Sequence, residues 1–158
     1  MAVLISDYKT DTLNKLPSFT EAGLKFDSVD GKAFIAGIMA PLFQKHEVEN
    51  FLGLQLLHQH FTLQPGGRLV DFNGTSDLEQ SGDQLQLHPL EFMLNSGITN
   101  LDQASQWSDP NSQKFVFSTQ SFFQIFSTEV NEHGVKGLFG LTRYPGDGFS
   151  GRVEVRLA

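Results

Sequence analysis

A chain of 158 residues with 39% apolar content is long enough for one domain with its own core, and it needs neither a disulfide nor a metal merely to fold. The absence of cysteine excludes disulfides, thiolate nucleophiles, cysteine-ligated zinc and iron–sulfur clusters. The net charge of −7 argues against a nucleic-acid partner, because the surplus is concentrated: Leu69 to Gln113 holds seven acidic residues and no Lys or Arg, while the 11 basic residues elsewhere meet 11 acidic ones.

The run Ala2 to Ile5 is too short for the apolar part of a secretory signal, and no apolar run approaches a membrane span. With the lack of cysteine, this gives a cytoplasmic location and no membrane partner as the expectation. Residues 1–24 show weak periodicity and are expected to be a loosely packed arm of a single domain spanning 1–158. Asp30-Gly31 then opens a helix whose apolar face is Phe34, Ile35, Ile38, Met39, Leu42 and Phe43. Pro41 has no N–H to give and is expected to kink or split that helix before its polar end at Gln44 to Glu47.

Leu54 to Leu63 (LQLLHQHFTL) reads as a strand. The turn Gln64-Pro65-Gly66-Gly67 leads it into a second strand, Leu69 to Phe72, as a hairpin ended by Asn73 to Ser76. Leu85 to Met93 is a further strand, with Pro89 placing it at an edge or making a bulge. Asn95 to Gln113 is polar and reads as a long loop with a short helix near Leu101. Lys114 to Phe117 is a short strand, and Ser118 or Thr119 caps a second helix with the stripe Phe122, Phe123, Phe126 and Val130 and a stop at Gly134. Gly137 to Tyr144 and Arg152 to Leu157 form a terminal hairpin; on its last arm Val153, Val155 and Leu157 alternate with Arg152, Glu154 and Arg156. The expected fold class is therefore α+β: an antiparallel sheet built from two hairpins and a further strand, with two main helices packed on one face.

Chemistry concentrates at His58-Gln59-His60. On extended backbone alternate side chains share a face, so His58 and His60 point the same way, with Leu54 and Leu56 before them and Thr62 after. An apolar face thus turns polar along its length, as the wall of a pocket would. Fifteen Phe against one Trp and two Tyr supply apolar area for a core, or for the lining of such a pocket. The catalytic candidates are His58, His60 and Glu91, the imidazoles moving a proton with Glu91 or Asp71 beside them. The metal candidates are His58, His60 and His88, with Glu91 as an alternative third ligand. His88 and Glu91 cannot share a face of a regular strand unless a bulge at Pro89 intervenes. A histidine-x-histidine pair lacks the further ligands of a defined metal site, so a divalent metal is an alternative to the plainer reading of hydrogen-bonded histidines with no cofactor. Arg143, Arg152 and Arg156 read as a solvated face or as an anion site. No phosphate-binding loop, dinucleotide glycine motif, nucleophile elbow or His-Glu-x-x-His is present in the sequence.

The blocks Leu56-Leu57-His58-Gln59-His60-Phe61, Leu69-Val70-Asp71-Phe72, Pro89-Leu90-Glu91-Phe92 and Gly137-Leu138-Phe139-Gly140-Leu141 are similar to those of a group of small fungal proteins. The resemblance covers most of the chain from about Ala33 onward. It implies one domain with a shared fold and a fungal source, and it carries no activity and no catalytic residue. Three functional expectations follow from the residues. The first is a small-molecule-binding domain, of isomerase or lyase type if an enzyme, with His58 and His60 lining an apolar pocket. The second is a non-catalytic interaction domain using the acidic segment 69–113 or a sheet edge. The third is a mononuclear metal protein.

Overall fold

The computed structural model describes residues 10–65, 67–72, 75–80, 88–94, 101–108, 120–144, 148 and 153–154. The chain is mixed α and β. It opens with α1 (Thr10–Asn14) and α2 (Phe19–Ser28), followed by α3 (Gly31–Phe34), a π-helical turn (Ile35–Met39) and α4 (Ala40–Lys45) in direct succession. After strand β1 (Leu52–Leu56) come β2 (Gly67–Phe72), β3 (Thr75–Gln80), β4 (His88–Leu94) and β5 (Leu101–Ser108). Helix α5 (Gln120–Glu132) precedes β6 (Phe139–Arg143) and β7 (Val153–Glu154).

Of the stretch expected to be a loose arm, residues 1–9 lie outside the described residues, and apolar side chains of the remainder are buried. Leu13 and Leu16 are buried with Leu57 and Leu63 in a small apolar cluster that Phe61 flanks, and Ala22 is fully buried. Ser18-Phe19-Thr20-Glu21 supplies a capping box for α2: the Ser18 hydroxyl accepts from the Glu21 N–H, and the Glu21 carboxylate accepts from the Ser18 N–H at 2.8 Å.

Pro41 does not end its helix but stands at the start of α4, where the regular α geometry is interrupted. The turn just before it widens to π geometry, with the Ala40 N–H reaching the Ile35 carbonyl. A wide turn gives the proline ring room that a regular α-helical turn denies it. Helix α4 then closes in a Schellman motif. The Glu47 N–H bonds Gln44 O, the Val48 N–H bonds Phe43 O, and Glu47 takes the left-handed conformation at φ 54°. Helix α5 ends the same way around Gly134 (φ 66°), with Gly134 N–H to Asn131 O and Val135 N–H to Val130 O. The apolar pairs that accompany these stops, Phe43 with Val48 and Val130 with Val135, are buried in one core.

That core is where the helices meet the sheet. Phe122, Phe123, Phe126 and Val130 of α5 join Phe34, Met39 and Phe43 of the α3–α4 helix, and Leu52, Phe139 and Leu141 of β1 and β6. Strands β1 and β6 pair antiparallel, with Leu54 opposite Leu141 and Leu56 opposite Phe139. Leu52, Leu54 and Leu56 share one face, which lies against the helical core.

The sheet order among the described strands is β1-β6-β4-β5-β2-β3-β7. It corrects the expected pairing in three places. Leu54–Leu63 is not one long strand hairpinned to Leu69–Phe72: the strand ends at Leu56 and its partner is β6. Asn73-Gly74 does not end a hairpin but stands between the antiparallel pair β2 and β3, with Phe72 opposite Thr75. The terminal hairpin does not form as expected either: β6 pairs with β1 and β4, while β7 pairs parallel with β3. With β2 and β5 also parallel, the sheet is mixed rather than antiparallel throughout. The long loop expected over Asn95–Gln113 contains strand β5 instead. Strand β4 is interior, and its pairing with β5 shifts register between Pro89 and Glu91, as a strand lacking one N–H requires. The expected strand at Lys114–Phe117 and the expected caps Ser118 and Thr119 lie outside the described residues.

Candidate functional site

The segment 57–63 leaves β1 and is pinned to the N-terminal helices by its odd-numbered residues. The Leu57 N–H bonds Leu138 O, and the Gln59 N–H bonds Pro17 O at 2.8 Å, making an isolated parallel bridge with Ser18. The Asn14 amide brackets Leu63 from both sides, accepting from its N–H at 2.7 Å and donating to its carbonyl at 2.9 Å. The Gln59 side chain donates both hydrogens of its Nε2, to Asn14 O at 3.0 Å and to Leu16 O at 2.8 Å. These are carbonyls at and just beyond the end of α1, so Gln59 acts as an external cap for that helix. Its Oε1 is buried and has no partner among the described residues.

With Leu57, Gln59 and Leu63 turned inward, His58 and His60 fall on the other side together. His58 is half-buried and His60 exposed. Their rings meet edge-to-face at 4.7 Å between centroids, with Nε2 to Nε2 at 3.1 Å. Phe19, at the start of α2 and 58% exposed, lies 5.1 Å from the His58 ring and 6.1 Å from the His60 ring. The two imidazoles thus meet at the surface beside an exposed aromatic ring, past the end of β1 rather than on the strand expected there.

The hydrogen bonds determine the tautomers of the neutral pair. His58 Nδ1 lies 2.8 Å from the Leu56 carbonyl, which only accepts, so Nδ1 carries the hydrogen and Nε2 holds a lone pair. His60 must then donate through its own Nε2–H. The site offers one imidazole oriented by the backbone and a second, exposed imidazole directed at it. At the start of α2 the Glu21 carboxyl is held below its ordinary value by hydrogen bonds from the Ser18 hydroxyl and backbone N–H, so the cap that flanks Phe19 includes a stabilised carboxylate.

The remaining candidates stand elsewhere. Glu91 and His88 lie on β4, which β6 separates from β1. Glu91 is opposite Thr142, and Thr142 is opposite Gly53, so Glu91 is level with a residue five positions before His58. Strands β4 and β1 run in the same direction, so His88 lies further still from the Leu56 end of the sheet. Two strand spacings of about 4.8 Å and five or more residues at about 3.3 Å each keep both positions away from the imidazole pair. Among the described residues no group of three or more His, Asp or Glu side chains is placed to hold a metal ion. Arg143 pairs across from Leu52 at the far end of β1, and Arg152 and Arg156 lie outside the described residues. Phe19, Gln59 and Asn14 were not anticipated from sequence. Of these, only Phe19 had a readable signal, because it sits inside the Ser-x-x-Glu box.

Fold and site together define a mixed α/β chain carrying a paired-imidazole surface, with no helix among the described residues long and apolar enough to cross a membrane. No protein-family model, curated protein or solved structure matches it.

Proposed function

We propose that the protein is a small-molecule-binding domain whose recognition element is His58, His60 and Phe19. The observation that carries this reading is the imidazole pair itself. Two polar rings are held 3.1 Å apart, one of them oriented by a backbone carbonyl, against an exposed aromatic ring. Such a surface suits a small ring-bearing compound that stacks on Phe19 and hydrogen-bonds to the imidazole edge. The reading is one of binding. Glu91, the carboxylate expected to assist the imidazoles in proton transfer, stands two strands away from β1.

The test is a screen of small aromatic acids, amides and alcohols against the full chain in EDTA, followed by two-dimensional NMR of the aromatic and backbone resonances. Ligands are expected to shift His58, His60 and Phe19 together, and His58→Gln is expected to abolish these shifts while leaving the melting temperature nearly unchanged. Hits that cluster elsewhere, or that persist in His58→Gln, refute the reading. A second reading, an interaction domain, is favoured by one observation: β1 stands at an edge of the sheet, and Phe51 at its start is 60% exposed. An extended peptide adding to β1 would protect its amides from exchange.

A further inference from the structure

We propose that His58 and His60 chelate one divalent first-row transition ion through their Nε2 atoms, Cu2+ most tightly, with water completing the coordination. The proposal deepens the ligand-site reading and rests on the same imidazole pair, naming a metal as an occupant.

Three observations carry it. The first is the donor spacing. Two metal–nitrogen bonds of about 2.0–2.1 Å enclosing an angle of about 90–110° place their nitrogens about 2.8–3.4 Å apart. The two Nε2 atoms stand 3.1 Å apart. The second is the orientation of His58. Its Nδ1–H donates to the Leu56 carbonyl at 2.8 Å, the outer hydrogen bond that fixes a ligating imidazole with its lone pair on Nε2. The third is access: His60 is exposed, so an ion reaches the pair from solvent without entering the apolar cluster beneath.

Binding replaces the Nε2–H···Nε2 hydrogen bond with two metal–nitrogen bonds. His60 moves its proton from Nε2 to Nδ1 through solvent, so the neutral pair releases no net proton. Imidazole donors favour Cu2+, Ni2+ and Zn2+ over Mg2+ and Ca2+, and the Irving–Williams order puts Cu2+ first. Among the described residues no third His, Asp or Glu is placed to ligate with the pair, which leaves positions open to water and makes this an exchangeable site rather than a closed structural one.

The experiment is titration of the full, untagged, EDTA-dialysed chain with Cu2+ alone, read by calorimetry and by electron paramagnetic resonance. NMR broadening locates the ion among the five histidines. One equivalent is expected to bind with two equatorial nitrogens and to broaden His58 and His60 first. His58→Gln and His60→Gln are each expected to weaken binding about 100-fold, and the double variant little further, because either loss abolishes the chelate. Circular dichroism of each variant shows whether it folds. Folded single variants within threefold of the original affinity, or first broadening at His46, His88 or His133, overturn the proposal. The small-molecule screen is run in EDTA, so a failure of the metal site leaves that result standing, and a failed screen leaves this one standing.

Discussion

Gln59 should hold the imidazole pair in place, and replacing it with Met tests this directly. Methionine keeps the length and volume of the side chain but removes both donors. The Asn14 and Leu16 carbonyls lose bonds of 3.0 and 2.8 Å in a half-buried setting. Each neutral hydrogen bond contributes about 1 kcal/mol net, and a carbonyl left dry costs more. Gln59 Oε1 has no partner among the described residues, so nothing further is lost with it. Better burial of a thioether than of an amide returns part of the loss, and the net destabilisation is about 1–2 kcal/mol. At about 2.1 cal/mol/K of unfolding entropy per residue, 158 residues give about 0.33 kcal/mol/K, so the midpoint should fall by about 3–6 °C. Calorimetry measures this. Hydrogen exchange should show faster opening at the Gln59 and Leu63 amides, which bond Pro17 O and Asn14 Oδ1, than in α5. The His58 and His60 ring resonances should shift toward those of free imidazoles. An unchanged midpoint with unchanged histidine resonances would show that Gln59 anchors nothing.

Three further outcomes follow from local geometry. Glu47→Gly should raise stability by about 0.5–1 kcal/mol, because it relieves a left-handed conformation costing about 1–2 kcal/mol against a smaller gain in unfolded-chain freedom; Glu47→Ala should give no such gain in urea melts. Gly31→Ala should cost about 1–3 kcal/mol by thermal melting, since a β-carbon there would meet the Phe26 ring, which packs on Phe139 at 6.0 Å between centroids. Glu21 has its folded pKa lowered from 4.5, first by the Ser18 hydroxyl and then by the Ser18 N–H, so its contribution is complete above pH 4.5 and lost as pH falls through the folded value. The stability gap between the parent chain and Glu21→Gln should therefore close in acid, and a gap constant from pH 7 to pH 3 would contradict the capping box as its source.

The helices from Gly31 onward were legible because each declares itself within a dozen residues, whereas α1 and α2, in the stretch of weak periodicity, were not read. The α5 stripe and the glycine at its stop, and the apolar face from Phe34 to Phe43, belong to local periodicity that no distant contact had to supply. The strands were legible only where large apolar residues recur along the sequence, as in LGLQL and FGLTR. Strand β3 (TSDLEQ) has one large apolar residue and β5 (LDQASQWS) has two, so neither shows the period-2 signal, and both are held by backbone pairing to neighbours. Asn73-Gly74 is a hairpin signal in its own right, yet β3 is so polar that the turn reads as an end rather than a bridge.

Partner choice is a different quantity from strand formation, and it explains why the site was half-visible. That His58 and His60 share a side could be read from three residues as the alternation of an extended chain, although β1 itself ends at Leu56. What holds them there depends on contacts 43 to 49 positions away in sequence, from Gln59 to Leu16 and Asn14 and from Leu63 to Asn14. Those partners sit in and just beyond a short helix with little periodicity of its own, where an asparagine brackets a strand-like segment as a backbone would. A polar side chain standing in for a strand leaves no hydrophobic pattern. The same substitution accounts for the early end of β1 at Leu56: beyond it the backbone is satisfied by Leu138, Pro17 and Asn14 in turn rather than by a neighbouring strand, which releases the two imidazoles from the sheet and turns them toward each other.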